Sequence, residues 1–219
     1  MIYTSGIISD ITRKESLEEL QDNKLALVCH KLELKPTDTL LDIGCGWGTL
    51  TAYAAKNFGC DVTGITLGKN QTIFGNKRIE DNGVPAGKAR ILCQDYREIA
   101  PDKKYSKIVS LEMAEVRSPR LRRGWDELTQ SLSQHVGIRN YTSFMTQVYN
   151  LLEDDGIFVL QVAGIRPTWQ YEDLIWCVSF APSHSIQALI RFAKGSLHEQ
   201  IRLPRSRRFV RSQLGHRSG

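Results

Sequence analysis

A chain of 219 residues has the length of one domain, or of one domain with appendages, and is long enough to bury a core. Its 41% hydrophobic content and mean hydropathy of -0.30 exclude disorder throughout, and no run comes near the roughly 20 apolar residues of a membrane-spanning helix. The net charge of +5 is concentrated: residues 177–219 carry +7 and residues 116–134 carry +2, which leaves −4 on the rest and argues against a basic, nucleic-acid-binding core.

In chain order, residues 14–33 place Leu17, Leu20, Leu25, Leu27, Val28 and Leu32 among charges at helical spacing and stop before Pro36, which predicts a helix. Residues 39–43 are a short apolar run entering GCGWG, and helical periodicity resumes over 49–58, so the order is strand, glycine turn, helix. Residues 61–66 predict a second strand and 69–82 a helix ending near Gly83 and Pro85. Strands three and four fall at 89–93 and 105–111, a helix at 141–152, and a fifth strand at 157–163 after an Asp-Asp-Gly turn. Strands this apolar, alternating with helices, predict the α/β class: a doubly wound, mostly parallel, Rossmann-like sheet covered on both faces. The alternation stops after Trp176.

Five cysteines (Cys29, Cys45, Cys60, Cys93 and Cys177), an odd number without a Cys-x-x-Cys pair, predict reduced packing thiols, with neither a disulfide framework nor a metal site. The N-terminus lacks a charged-then-apolar leader, so no export is predicted.

Asp42, Gly44, Gly46 and Gly48 lie where the first strand hands over to a helix, the place where backbone approaches a ligand and a helix N-terminus offers N–H groups. The spacing is G-x-G-x-G and not the dinucleotide fingerprint G-x-G-x-x-G, which suits a smaller load than a pyrophosphate, such as a methionine carboxylate and ribose. In open α/β sheets ligands sit beyond the C-terminal strand ends. Further candidate contacts are therefore Thr66 and Gln71 after strand two, Asp95 and Tyr96 after strand three, and Glu112 and Glu115 after strand four. Plainer roles compete: Gln71 as a solvated helix residue, Tyr96 as a packing residue, Asp95 as a helix cap, Cys45 as small filler and not a nucleophile, and His30 as structural or solvated.

The runs LLDIGCGWG, GITLGKNQ at 64–71, QDYRE at 94–98, SLEMAE at 110–115 and HVG at 135–137 resemble the cyclopropane-fatty-acyl-phospholipid synthase family. Within it, MIYTSGI, GIRNYTSF and GIFVLQVAGI are most similar to the fungal sphingolipid C-9 methyltransferase branch, and the likeness covers residues 1–115 and 135–176. The resemblance implies a class I methyltransferase fold that uses S-adenosylmethionine. It implies methyl transfer to an alkene carbon of a membrane lipid, the sphingoid base of a ceramide or glucosylceramide, with cyclopropane fatty acid synthesis as the alternative. It also implies association with an endomembrane, and no nucleic-acid partner.

Gly44, Gly46, Thr66, Gln71 and Tyr96 match cofactor contacts of the family, and Tyr3 and Thr4 match residues that close over the cofactor. Glu115, beside the developing cation, is the implied central carboxylate, with His135 next in the family's EHVG run. In the cyclopropane synthases the matching glutamate, a cysteine and a histidine hold a bicarbonate base. Ser5 and Gln161 stand at the cysteine and histidine positions here, hydrogen-bonding groups that reproduce neither thiol nor imidazole.

Residues 116–134 interrupt the family's continuous EHVG. They begin with valine, whose codons start GT, and end with glutamine, which CAG encodes, so a translated intron is the expectation for this segment. Arg117, Arg120, Arg122 and Arg123 form a poor nucleic-acid platform with only Trp125 beside them. From Cys177 the likeness ends. The expectation there is a basic, poorly ordered tail, or an amphipathic helix through Ile186, Leu189, Ile190, Ala193 and Leu197, with the fifth strand left as a bare edge. Together these departures keep open a catalytically inactive, cofactor-binding fragment. Membrane-spanning segments ahead of this region in the family branch imply a chain shortened at its start.

Overall fold

A computed structural model describes residues 6–113, 137–165 and 185–193, with side chains over 6–113 and 141–161. The first helix, α1 (Leu17–Leu32), begins at a capping box in which Ser16 and Glu19 exchange side-chain and backbone hydrogen bonds. It stops at Glu33, which takes a left-handed conformation with φ 54°. Its inner face is Gln21, Lys24, Leu25, Val28, Cys29 and Leu32, a helical stripe with one lysine in it.

Six strands follow, β1 (Thr39–Ile43), β2 (Asp61–Thr66), β3 (Ala89–Cys93), β4 (Tyr105–Leu111), β5 (Leu152–Ile165) and β6 (Ser185–Ala193). Helices α2 (Thr49–Phe58), α3 (Lys69–Asp81) and α4 (Gly137–Leu151) connect them. The sheet order is β3-β2-β1-β4-β5-β6, parallel as far as β5, with β6 antiparallel at the edge. Period-two alternation sorts the strand residues onto two faces. Leu40, Val62, Ile91, Val109 and Val159 meet Val28, Leu32, Leu50, Ala54 and Ile79 of the first three helices. Leu41, Ile43, Ile65, Ile108, Phe158 and Leu160 meet Phe144, Met145, Val148 and Leu151 of α4. A doubly wound α/β sheet is therefore what the chain forms. The order reverses between β1 and β4, and such a switch point opens a crevice beyond the C-terminal strand ends.

Two expectations are corrected. The fifth strand begins at Leu152, directly after α4, because Leu152 is fully buried and pairs with Tyr105. The register shift between Tyr105 and Lys107 then absorbs the Asp154-Asp155-Gly156 stretch inside the strand. Residues 185–193 are neither helical nor without structure: β6 pairs antiparallel with β5 along its whole length, from Ser185 opposite Ile165 to Ala193 opposite Ile157. Ile186, Ala188, Ile190 and Phe192 alternate as a strand requires, and β5 offers a full row of backbone groups to pair with. Leu197, the rest of the basic tail and residues 116–134 lie outside the described residues.

Candidate cofactor crevice and active site

The crevice starts where β1 ends and the chain turns through residues 44–48 into α2. Gly44, Gly46 and Gly48 all have positive φ, at 80°, 55° and 74°, but their surroundings differ. A Cβ on Gly44 would lie 2.8 Å from Met113 Cγ, and one on Gly48 would overlap Ile91 Cδ1 and lie 3.3 Å from Gly75 Cα, whereas one on Gly46 would meet nothing within 4 Å. Gly44 and Gly48 are thus packing glycines, and Gly46 faces open space.

The turn's own amides divide in the same way. Those of Gly44 and Cys45 both donate to the Ile65 carbonyl at 3.0 Å, and that of Gly48 donates to Cys45 O at 3.0 Å. Among the described residues, the N–H groups of Gly46 and Trp47 have no acceptor, so these two are the donors left for a ligand.

Asp42 lies near the end of β1. It is 2% exposed beneath the turn, and its carboxylate accepts from Thr51 Oγ1 at 3.0 Å, tying the first turn of α2 to β1. Burial pushes its carboxyl up to about 7, against the lowering effect of Thr51. Between the ordinary value of 3.8 and about 7 the unfolded chain has Asp42 ionised while the folded chain keeps the proton. Stability therefore falls as pH rises through that window, by up to about 1.4 kcal/mol per unit. Asp42→Asn is expected to lose this component. Thermal unfolding of both chains across the window measures it, and equal slopes would remove the reading.

Burial first, then Asp42, drives the Cys45 thiol well above the usual range, which disfavours the thiolate a nucleophile needs. Trp47, 40% exposed, rests edge-on against Phe74 with ring centroids 5.3 Å apart, and the Arg78 guanidinium lies 5.2 Å over the Phe74 ring.

The other strand ends contribute as follows. Thr66 Oγ1 donates to Gln71 Oε1 at 2.6 Å, which joins the two residues expected after β2 into one polar pair. Asp95 caps the short 3-10 turn Tyr96–Glu98, accepting from the Arg97 N–H at 2.9 Å, and the Arg97 side-chain and backbone hydrogen bonds hold its carboxyl below the usual range. The helix-cap role weighed for Asp95 is the one observed. Tyr96 lies edge-on to Phe144 at 5.4 Å, and burial raises its phenol. Its packing role is also observed, on the face covered by α4.

Past β4 the chain places Glu112 at φ 61°, a left-handed conformation unusual for a side chain of this size. Its N–H donates to the Gln161 carbonyl at 3.0 Å. Its Oε1 accepts from Gln161 Nε2 at 2.7 Å and from Lys24 Nζ at 3.3 Å. Lys24 is 3% and Gln161 2% exposed. Burial pushes the Lys24 ammonium down and Glu112 opposes that shift. Sequence reasoning named Gln161 and Glu112 separately and missed Lys24, whose signal was a lysine inside the buried stripe of α1. Tyr3, Thr4, Ser5, Glu115 and His135 lie outside the described residues. No cluster of metal-ligating side chains occurs among the described residues.

The model of the mycolic acid cyclopropane synthetase family matches residues 1–174. The chain belongs to that family. Sphingolipid C9-methyltransferase A of Emericella nidulans is 55% identical over 178 residues, which are 80% of this chain and 31% of that protein. Cyclopropane-fatty-acyl-phospholipid synthase of Escherichia coli K12 is 35% identical over 154 residues, 70% of this chain and 34% of that one. Among solved structures, the mycolic acid cyclopropane synthase CmaA1 complexed with SAH and CTAB superposes with a TM-score of 0.62 at 25% identity, covering 83% of this chain and 56% of that one. The chain thus spans about a third of the length of the curated relatives it matches. The segments LLDIGCGWG, GITLGKNQ and QDYRE lie at the C-terminal ends of β1, β2 and β3.

Proposed function

We propose that this chain is the cofactor-binding part of an S-adenosylmethionine-dependent C-methyltransferase whose acceptor is an alkene carbon in a membrane lipid, the sphingoid base of a ceramide or glucosylceramide. The observation that carries the reading is the open side of the glycine turn at the sheet's switch point, in a chain 55% identical to a sphingolipid C9-methyltransferase.

The crevice fits the cofactor. The Gly46 and Trp47 amides at the start of α2 suit its carboxylate, since a helix N-terminus favours an anion. The Thr66–Gln71 pair would supply polar groups for the ribose, and Asp95 and Tyr96 follow β3 at the same end of the sheet. Bound there, S-adenosylmethionine would supply an electrophilic methyl group. The protein's own contribution is to orient a weakly nucleophilic alkene toward that methyl and to meet the resulting positive charge with carboxylate, Glu115 by its place in the family motif. The lipid would be met at a membrane surface, although no helix among the described residues is long and apolar enough to cross one.

A second reading, cofactor binding without turnover, is favoured by the 116–134 insertion directly after Glu115. Incubating the purified chain with methyl-labelled S-adenosylmethionine and an unsaturated ceramide, alongside calorimetry of cofactor binding, separates the two. Label in the sphingoid base supports the enzyme, binding without label supports the second reading, and no binding refutes both.

A further inference from the structure

Lys24 of α1, Glu112 after β4 and Gln161 of β5 converge at the C-terminal end of the β4–β5 pair from three parts of the chain. Each is placed at a cost. A left-handed backbone at Glu112 opposes folding by about 1–2 kcal/mol, and a lysine 3% exposed is tolerated because a carboxylate faces it. Strain and buried charge at strand ends beside a crevice mark a group held for chemistry more than for stability.

The trio also answers a question of charge. A neutral glutamine amide holds an anion by donating from Nε2. In this chain the acceptor on Gln161 Nε2 is an anion the protein itself provides, the Glu112 carboxylate, with Lys24 as its countercharge.

We propose that Glu112 is a built-in base, doing within the chain what a dissolved anion such as bicarbonate would otherwise do; this rests on the reaction proposed above. Once the alkene carbon has accepted the methyl group, the bond to sulfur having broken with its electron pair left on sulfur, the neighbouring carbon is electron-deficient. The C–H bond at the methylated carbon then breaks. Its electron pair restores the double bond, and the proton passes to a Glu112 carboxylate oxygen, from which solvent removes it. Gln161 and Lys24 are positioning residues that fix the carboxylate for this step.

The test uses the full chain, an unsaturated ceramide, labelled S-adenosylmethionine, and calorimetry with sodium bicarbonate and sodium acetate. Wild-type turnover is expected to be equal in bicarbonate-free and bicarbonate-containing buffer, with no bicarbonate binding. Glu112→Gln should lower turnover by at least about 100-fold with cofactor affinity unchanged. Glu112→Gly suits the left-handed backbone and vacates the place between Lys24 and Gln161. It should bind bicarbonate or acetate where the wild type does not, and regain turnover when either is added. Wild-type turnover that needs bicarbonate, or a Glu112→Gln chain as fast as wild type, overturns the base role alone. A wild-type chain that binds cofactor but methylates no alkene lipid overturns the proposed reaction, and the base role with it.

Discussion

Gly48→Val is expected to cost about 3–5 kcal/mol of stability and to lower Tm by roughly 6–20 °C. Two separate effects combine at this position. The backbone holds φ 74°, where a β-branched residue loses about 1–2 kcal/mol. The added side chain would also enter the contact between the start of α2 and the α3–β3 layer, where Ile91 Cδ1 and Gly75 Cα already fill the space. Gly46→Ala is the control, because φ is also positive there but an added Cβ meets nothing within 4 Å. Circular dichroism melts of the two variants measure the difference, and a Gly48→Val loss no larger than that of Gly46→Ala would refute the packing role.

The second large effect belongs to Lys24. Lys24→Met keeps the length and apolar stem of the side chain but removes the ammonium from which Glu112 Oε1 accepts. Lys24 is 4% but Glu112 23% exposed, so breaking this part-buried pair from the lysine side costs about 1–3 kcal/mol, whereas removing both charges is close to neutral. The single variant should therefore melt roughly 2–12 °C lower, and the double variant Lys24→Met with Glu112→Gln should recover most of that loss. A cycle showing no coupling between the two positions would mean that the ion pair contributes nothing to the fold.

What could be read in the sequence follows the range of the interaction behind it. The five parallel strands were legible because each is a short apolar run beside turn chemistry, and the glycine turn was legible because three glycines sit in five residues. Segment 185–193 was misread because Ile186, Leu189, Ile190 and Ala193 satisfy a helical spacing while Ile186, Ala188, Ile190 and Phe192 satisfy a strand. The partner that decides, β5, lies elsewhere in the chain. Asp42's hydrogen bond to Thr51, nine residues on, was not legible from its place before the turn. The Lys24–Glu112 pair spans 88 residues, so no local pattern joins its members, and only the odd lysine on the inner stripe of α1 pointed to it.

Trp47 couples the glycine turn to α3 through its edge-on stack with Phe74, and Arg78 fastens the other end by donating to Thr49 Oγ1 and lying over the Phe74 ring. An indole next to the two free turn amides, half in water and half against an aromatic edge, changes its emission when either environment changes. With Trp125, Trp169 and Trp176 replaced by phenylalanine, Trp47 becomes an optical gauge of whatever settles on that turn, readable by quenching before any product has formed.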